Sequence, residues 1–316
     1  MPYLKAQMPL HKLRRIIRIL YGYWKAYTHF QGWQSWTWYE GGAQVLAGFA
    51  SRARHRKLFC ADPFLFRHSG ANYLFYETVD AYEKGKLGCL KEVDGKWIDQ
   101  GIVLEEPWHL SYPQVFEEGG KVYMLPEACD FGKGGVHLYE AVEFPMKWKR
   151  VATLIDRPFA DSTILKYDGH WYMACYTIPP KETAELWHAD SLFGPWTRHP
   201  QWRNINQSNR LRRCGGSFIR RGDVLYRVAQ DCNGPLYGKR LFKVRVEKIS
   251  PTEYKEGEAT ILHDRTMPPF GYCHTYNEME VNGRRLSVVD VHHNVWESPS
   301  RVAVRIVRAF KRKIGC

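Results

Sequence analysis

The sequence contains no run of eighteen apolar residues, so no segment has the length to span a bilayer as a helix. Its first residues lack the uninterrupted apolar stretch and small-residue cleavage site of a secretory signal. Cysteines occur at 60, 89, 129, 175, 214, 232, 273 and 316, with no CxxC and no paired spacing. A zinc site or a disulfide framework is therefore not expected. Cys175 and Cys214 lie within or beside apolar strands, where a thiol serves as a small hydrophobe. Long charged or low-complexity tracts are missing too, which leaves a folded, reduced, cytoplasmic protein as the expectation.

Acidic residues are absent from both ends. Residues 1–30 hold Lys5, Lys12, Arg14, Arg15, Arg18 and Lys25, and residues 298–316 hold Arg301, Arg305, Arg308, Lys311, Arg312 and Lys313. These twelve account for nearly all of the net charge of +13, leaving the middle of the chain close to neutral. Both ends carry helical periodicity: Leu13, Ile16, Ile17, Leu20, Trp24 and Tyr27 share one face, as do Val302, Ile306 and Phe310. Basic amphipathic helices suit an anionic membrane surface, placing the protein peripherally at the inner face of a membrane. Amphipathicity alone fits equally a helix docked on the main body. Nucleic-acid binding is not expected, because the middle of the chain has no basic stripe interleaved with stacking aromatics.

What is present is a pattern that returns five times. Each copy is an apolar strand, a turn and a second, aromatic-rich strand. The first strands open at Asp62, Tyr112, Asp161, Gly215 and His274, successive offsets of 50, 49, 54 and 59 residues. That is the spacing of propeller blades, and it predicts an all-β, five-bladed β-propeller over 31–297 between basic helices at 1–30 and 298–316. The lead-in after residue 30 is expected to supply the outermost strand of the fifth blade, removing an exposed sheet edge. Trp97, Trp148 and Trp196 keep the period and read as packing between blades. The irregular insert Gln201–Arg213 in the fourth copy reads as a loop grown on the binding face.

In an antiparallel hairpin, the start of one strand and the end of the next share an edge. Asp62 and Asp161 open first strands, while Glu77, Glu127, Asp231 and Asp290 close second strands, so all six carboxylates are expected at one rim with His274. Gathered acids are hard to explain by folding alone. Singly, Glu77, Asp231 and Asp290 read as turn caps, whereas Asp62 and Asp161 repeat one position in alternate blades and read as functional. His109 and Ser111 precede Tyr112, Arg210, Arg212 and Arg213 precede the Gly215 strand, and Arg227 lies in the next. These arginines suit either ion pairs or a phosphate held bidentately. No ligand spacing is diagnostic of a divalent metal, and no other cofactor is indicated.

Phe59-Cys-Ala-Asp-Pro-Phe-Leu-Phe, Leu110-Ser-Tyr-Pro-Gln-Val-Phe, Met124-Leu-Pro-Glu127, Ala189-Asp-Ser-Leu-Phe-Gly-Pro-Trp196, Gln230-Asp231-Cys232 and His274-Thr275 resemble the N-terminal domain of glucosamine inositolphosphorylceramide transferases, which also has free-standing bacterial relatives. The resemblance covers roughly residues 57–296 and implies a propeller akin to arabinanases and fructosidases. It implies Asp62 as the match of their general base and Asp161 as the match of the aspartate that tunes the acid. Their general-acid Glu opens the first strand of the fourth blade, where this chain reads Arg212-Arg213-Cys214-Gly215-Gly216. Glu127 is the candidate to replace it from the neighbouring blade.

Three functions follow as expectations. A glycosyltransferase in surface polysaccharide or glycolipid synthesis would use Asp62 as base on an acceptor hydroxyl. Arg212, Arg213 and His274 would then steady the phosphate of a nucleotide-sugar donor. A glycoside hydrolase would use Asp62 as base, Glu127 as acid and Asp161 as modulator. A non-catalytic glycan-binding module would hold sugar on the aromatic platforms Trp108, Tyr112 and Tyr276 and recruit a partner transferase. The candidate binding set is His109, Tyr112, Arg212, Arg213, Arg227, Asp231, His274 and Tyr276.

Overall fold

The computed structural model describes residues 29–47, 59–79, 84–130, 133–178, 182–233 and 238–296. The chain divides into a unit of residues 33–293 and a second of 1–32 with 294–316, of which only 29–32 and 294–296 are described. The helices expected over 1–30 and 298–316 lie outside the described residues, save that strand already begins at His29.

Residues 33–293 form the five-bladed propeller. Blade 1 stacks Ala61–His68, Ala71–Val79, Gly85–Val93 and Lys96–Leu104 outward from the axis. Blade 2 repeats this with Ser111–Glu118, Lys121–Glu127, Val136–Glu143 and Lys147–Ile155, and blade 3 with Ala160–Tyr167, His170–Tyr176, Ala184–Ala189 and the short Thr197–Arg198. In blade 4 the inner strand is broken into Arg213–Cys214 and Ile219–Arg221, followed by Val224–Gln230, Arg240–Ile249 and Tyr254–Asp264. Blade 5 sets Tyr276–Val281 and Arg284–Trp296 inside His29–Tyr39 and Val45–Leu46. The lead-in therefore supplies two outer strands of that blade, one more than expected.

Two-residue turns with positive φ at both positions, such as Asp168-Gly169, join the inner pairs and match the right-handed twist of the strands. The cores lie between blades. Tyr73, Phe75 and Leu87 of blade 1 pack on Val122, Met124 and Tyr139 of blade 2, and Tyr172, Ala174 and Leu186 of blade 3 on Leu225 and Val246 of blade 4. Trp97, Trp148 and Trp196 each fill such an interface, with the indole N–H bonded to Thr37 Oγ1, Pro145 O and Leu192 O respectively. The insert after blade 3 returns to that blade's exposed edge: Gln207 accepts the Ala184 N–H and donates to its carbonyl, as a neighbouring strand would.

Side chains lace the inner strands. Gln114 bonds both N–H and carbonyl of Ile164, at 2.8 and 2.9 Å, and Asn277 joins Pro63 O to the Ser217 N–H. No helix among the described residues is long and apolar enough to cross a membrane.

Candidate functional site

The funnel mouth is the end where inner strands begin, and three blades begin with the same distortion. Asp62, Tyr112 and Asp161 occupy the left-handed region at φ of 47°, 49° and 47°. At each, pairing with the second strand skips: Ala61 faces Glu77, Ser111 faces Glu127 and Ala160 faces Tyr176, with regular register resuming at Phe64, Gln114 and Thr163. A non-glycine residue in this region is strained and persists only where its surroundings hold it. The bulge frees its backbone N–H from the ladder and re-aims its side chain.

Acids closing second strands take up those freed N–H groups. Asp290 Oδ2 accepts the Asp62 N–H at 3.1 Å, and Glu127 Oε2 accepts the Asp161 N–H at 2.9 Å. The strand-end acids thus hold the neighbouring blade's distorted aspartate, from blade 5 to 1 and from blade 2 to 3.

Around Asp62 the partners are His274, Thr275 and Asp290. Thr275 Oγ1 donates to Asp62 Oδ1 at 2.5 Å, and His274 Nε2 lies 3.6 Å from the same oxygen. His274 Nδ1 meets Asp290 Oδ2 at 2.5 Å, while Asp290 Oδ1 accepts the backbone N–H of both His274 and Thr275 at 2.9 Å. Trp33 stacks flat on the imidazole, centroid to centroid 4.0 Å at 15°. Burial pushes Asp62 up to about 7; Glu77, Asp161 and Asp290 add to the effect, and His274 opposes it. For His274 burial works against the charged ring, but Asp290 and Asp62 outweigh it and bring the imidazole up to about 9. The ligand atoms of Asp62, His274 and Asp290 lie within 4.8 Å of one another, close enough to suit a cation. Three backbone N–H groups already donate to the two Asp290 oxygens, with His274 Nδ1 beside them, so this cluster is organised around protons.

Asp161 has different company. Arg213 Nε and Gln230 Nε2 both donate to its Oδ2, the latter at 2.7 Å, and Gln230 also reaches Cys214 O at 2.7 Å. Arg213 and Arg212 lie over the Tyr176 ring at 5.3 and 5.7 Å, and Arg212 pairs with Glu182. Burial holds Glu127 well above the carboxylate range, with Asp161 adding to this and Arg213 opposing.

His109 sits further out, its Nε2 3.2 Å from Glu77 Oε1. Burial disfavours its charged form, and Glu77 reverses this, drawing the ring up to about 9. The Gly85 N–H donates to Nδ1 at 3.0 Å, which requires a lone pair there. That bond favours the neutral Nε2–H tautomer and so opposes the charged form that Glu77 draws out. Only glycine fits at 85: a Cβ there would lie 2.2 Å from Leu110 O.

The structure thus brings Asp62, Asp161, Glu127, His109, Arg213 and His274 to one mouth, with Arg212 beside them. Four other candidates have interior duties instead. Arg227 is fully buried in blade 4 and pairs with Glu256 at 2.6 Å, because a guanidinium out of water needs a carboxylate there. Tyr112 is fully buried at the axis, its hydroxyl accepting the Gly216 N–H at 2.7 Å and meeting Thr163 Oγ1 at 2.9 Å. The Tyr276 hydroxyl is tied to Glu278 and Ser287. Asp231 caps the Asn233 N–H and pairs with Arg240.

Sequence reasoning passed over Thr275 and Gln230 as site residues, although each adjoins a residue it named, and gave no role to Trp33 or Tyr176. Two clefts lie at the opposite end, one lined by Tyr167, Asp223 and Glu253, the other by Phe218, Glu278 and Arg285; neither includes an acid of the mouth.

Residues 34–294 match the family described as glucosamine inositolphosphorylceramide transferase 1, N-terminal. The chain is 37% identical over 209 residues to glucosamine inositolphosphorylceramide transferase 1 of Oryza sativa subsp. japonica, covering 63% of this chain but 27% of that protein. It therefore spans about a quarter of the length of the curated relatives it matches. Among solved structures, a Bombyx mori beta-fructofuranosidase superposes with a TM-score of 0.55 at 12% identity, covering 88% of this chain and 62% of that one. A native Bacillus subtilis arabinanase gives 0.52 at 15%, covering 73% and 94%. At such identities the structural likeness speaks for the fold alone.

Proposed function

The chain belongs to the family of the N-terminal domain of glucosamine inositolphosphorylceramide transferase 1, and on that premise we propose that its funnel is a carbohydrate active site that transfers a glycosyl group from a sugar-phosphate donor. The observation that carries this reading is the state of Asp62. A buried carboxylate at about 7, with Thr275 fixing one oxygen, is suited to accept a hydroxyl proton near neutral pH. The acceptor oxygen bonds to the anomeric carbon as its proton passes to Asp62. The anomeric carbon–oxygen bond to phosphate breaks, and the phosphate departs with the electron pair.

A phosphate leaving group needs cations rather than a proton donor, and Arg213 lies at the mouth with its side chain one-fifth exposed. The carbohydrate or nucleotide-sugar partner follows from this chemistry. The test is thermal stability against nucleotide sugars, free nucleotides and oligosaccharides. A ligand at about a hundred times its Kd adds roughly 2.7 kcal/mol, a rise of a few degrees. Stabilisation by one nucleotide class, lost in Arg213→Ala, supports transfer; stabilisation by oligosaccharides alone refutes it.

One observation favours hydrolysis as the second reading. Burial and the neighbouring Asp161 hold Glu127 well above the usual carboxylate range, the direction a general acid requires beside the base Asp62. Turnover of a simple glycoside that vanishes in Glu127→Gln would select it.

A further inference from the structure

Three connections at the mouth are laced together on the side of blades 4 and 5. The Cys232 N–H donates to Asn209 O at 3.0 Å, Asp231 N–H to Arg240 O at 3.0 Å, and Cys273 N–H to Gly238 O at 2.8 Å. The last of these connections carries Arg265-Thr266-Met267-Pro268-Pro269-Phe270, leading from the outer strand of blade 4 back to the axis. Its apolar side chains do not turn inward. Phe270 is 70% exposed and Met267 38%, and Pro268 between them is exposed as well.

This exposure is held in place. Pro269 is buried, and its carbonyl accepts a hydrogen bond from Nε2 of the buried His263 at 3.2 Å. Asp264 Oδ1 takes the Thr266 N–H and hydroxyl at 2.8 and 2.6 Å, and Asp264 O takes the Met267 N–H at 3.0 Å. A run of exposed apolar residues on a braced turn is not ordinary scattered surface.

The charge around the turn has one sign in excess. Segments 208–213, 231–240 and 263–273 hold Arg210, Arg212, Arg213, Lys239, Arg240 and Arg265 against Asp231 and Asp264. Arg212, Arg213 and Arg240 are paired with Glu182, Asp161 and Asp231. Arg210, Lys239 and Arg265 form no ion pair with a described carboxylate, and Arg210 and Arg265 are exposed.

An apolar tip among unpaired cations at the lip of a funnel matches an anionic lipid surface, where the tip leaves water and the cations meet phosphates. We propose that the blade 4 and 5 side of the mouth docks on an anionic membrane, with Met267 and Phe270 entering the headgroup region and Arg210, Lys239 and Arg265 meeting lipid phosphates. The docked funnel opens toward the bilayer, so a lipid-linked substrate reaches it without leaving the membrane. The docking itself does not depend on which reaction the acids perform.

The experiment is sedimentation of the full chain with vesicles of phosphatidylcholine, alone or with about a third phosphatidylserine. Binding is expected to require the anionic lipid and to weaken with salt. Met267→Ser with Phe270→Ser is expected to lower partitioning about tenfold, and Lys239→Gln with Arg265→Gln several-fold. Phe193→Ser removes another exposed aromatic, 54% accessible, from the opposite end and is expected to leave partitioning unchanged. Unchanged melting temperatures establish that the variants fold.

The proposal is overturned if the wild type does not bind. It is overturned equally if the Met267 and Phe270 variant binds like the wild type, as when basic termini alone hold the vesicle, or if Phe193→Ser loses as much. Loss of oligosaccharide binding with vesicle affinity intact would make Phe270 a sugar platform instead. Turnover of soluble substrates, scored separately with Asp62→Asn, distinguishes failure of docking from failure of the proposed chemistry.

Discussion

Asp62 and Asp161 stand on one backbone device two blades apart, and their surroundings make them different acids. Each sits at φ 47° at the head of an inner strand, with its N–H held by a carboxylate of the preceding blade. Asp161 is then fixed by Arg213, a cation that does not titrate in any working range, and by the amide of Gln230. Asp62 receives a hydroxyl from Thr275 and faces His274, whose charge depends on pH. A repeat can therefore place two identical side chains in equivalent geometry while the adjacent blade decides which one exchanges a proton. Asp161 is suited to orient; Asp62 is suited to react.

The strongest way to break this comparison is to neutralise each acid in turn. Asp62→Asn keeps the shape and removes the base, so turnover is expected to fall by about 10²–10⁴-fold, with ligand binding nearly unchanged by calorimetry. Full turnover in Asp62→Asn would end its assignment as base. A second contrast removes the partners. Arg213→Ala leaves the 3%-exposed Asp161 facing only Gln230, an expected loss of about 3 kcal/mol in urea unfolding. Thr275→Val removes a single hydrogen bond from Asp62 and is expected to cost only about 1 kcal/mol. Equal losses would mean that the two carboxylates are held alike.

The pH dependence of stability sharpens the same point. Asp62 is raised above its unfolded value, so between about pH 4 and its folded value of about 7 the unfolded chain has released a proton that the native state keeps. Its contribution therefore falls as pH rises through that window. His274, raised to about 9, contributes stability that is complete below its unfolded value of about 6.5 and is lost as pH rises through about 9. The two effects have the same sign, and the pair titrates together. Melting temperature is expected to fall from pH 5 to 9, with the lower part flattened in Asp62→Asn and the upper part in His274→Asn. A slope unchanged in both variants would remove the interaction. Activity, which needs Asp62 ionised, is expected to rise through pH 7 while stability declines.

The sequence already carried the blade count and the choice of mouth, because offsets near fifty residues and period-two strands are local facts. It also pointed to Asp62 and Asp161 by their repeated position. The bulge that re-aims them was not legible: Ala-Asp-Pro and Ala-Asp-Ser have no shared residue type that forces φ positive, and the strain is held by Asp290 and Glu127 from other blades. Arg227 was misassigned because an arginine in a strand near acids looks the same from sequence whether it faces the axis or the blade interior, where Glu256 waits. Trp33 had no signal at all. It lies outside the repeats, and only closure of the fifth blade by the lead-in brings it onto His274.

Tyr112 offers the finest test, because it is the third residue in the same left-handed position and carries no charge. Blade 2 spends that position on the axis. Its hydroxyl reaches across to Gly216 of blade 4 and Thr163 of blade 3, while Phe64 of blade 1 meets its ring edge at 4.7 Å. Gly216 itself is closely packed, since a Cβ at that residue would fall 1.9 Å from Tyr276 O. Tyr112→Phe keeps the ring and strands that N–H, so stability is expected to drop by about 1–3 kcal/mol. Turnover and KM are expected to stay within about twofold, since neither charge nor proton transfer passes through the phenol. A tenfold rise in KM with unchanged stability would instead put the hydroxyl on substrate, and all three left-handed positions would then belong to the site.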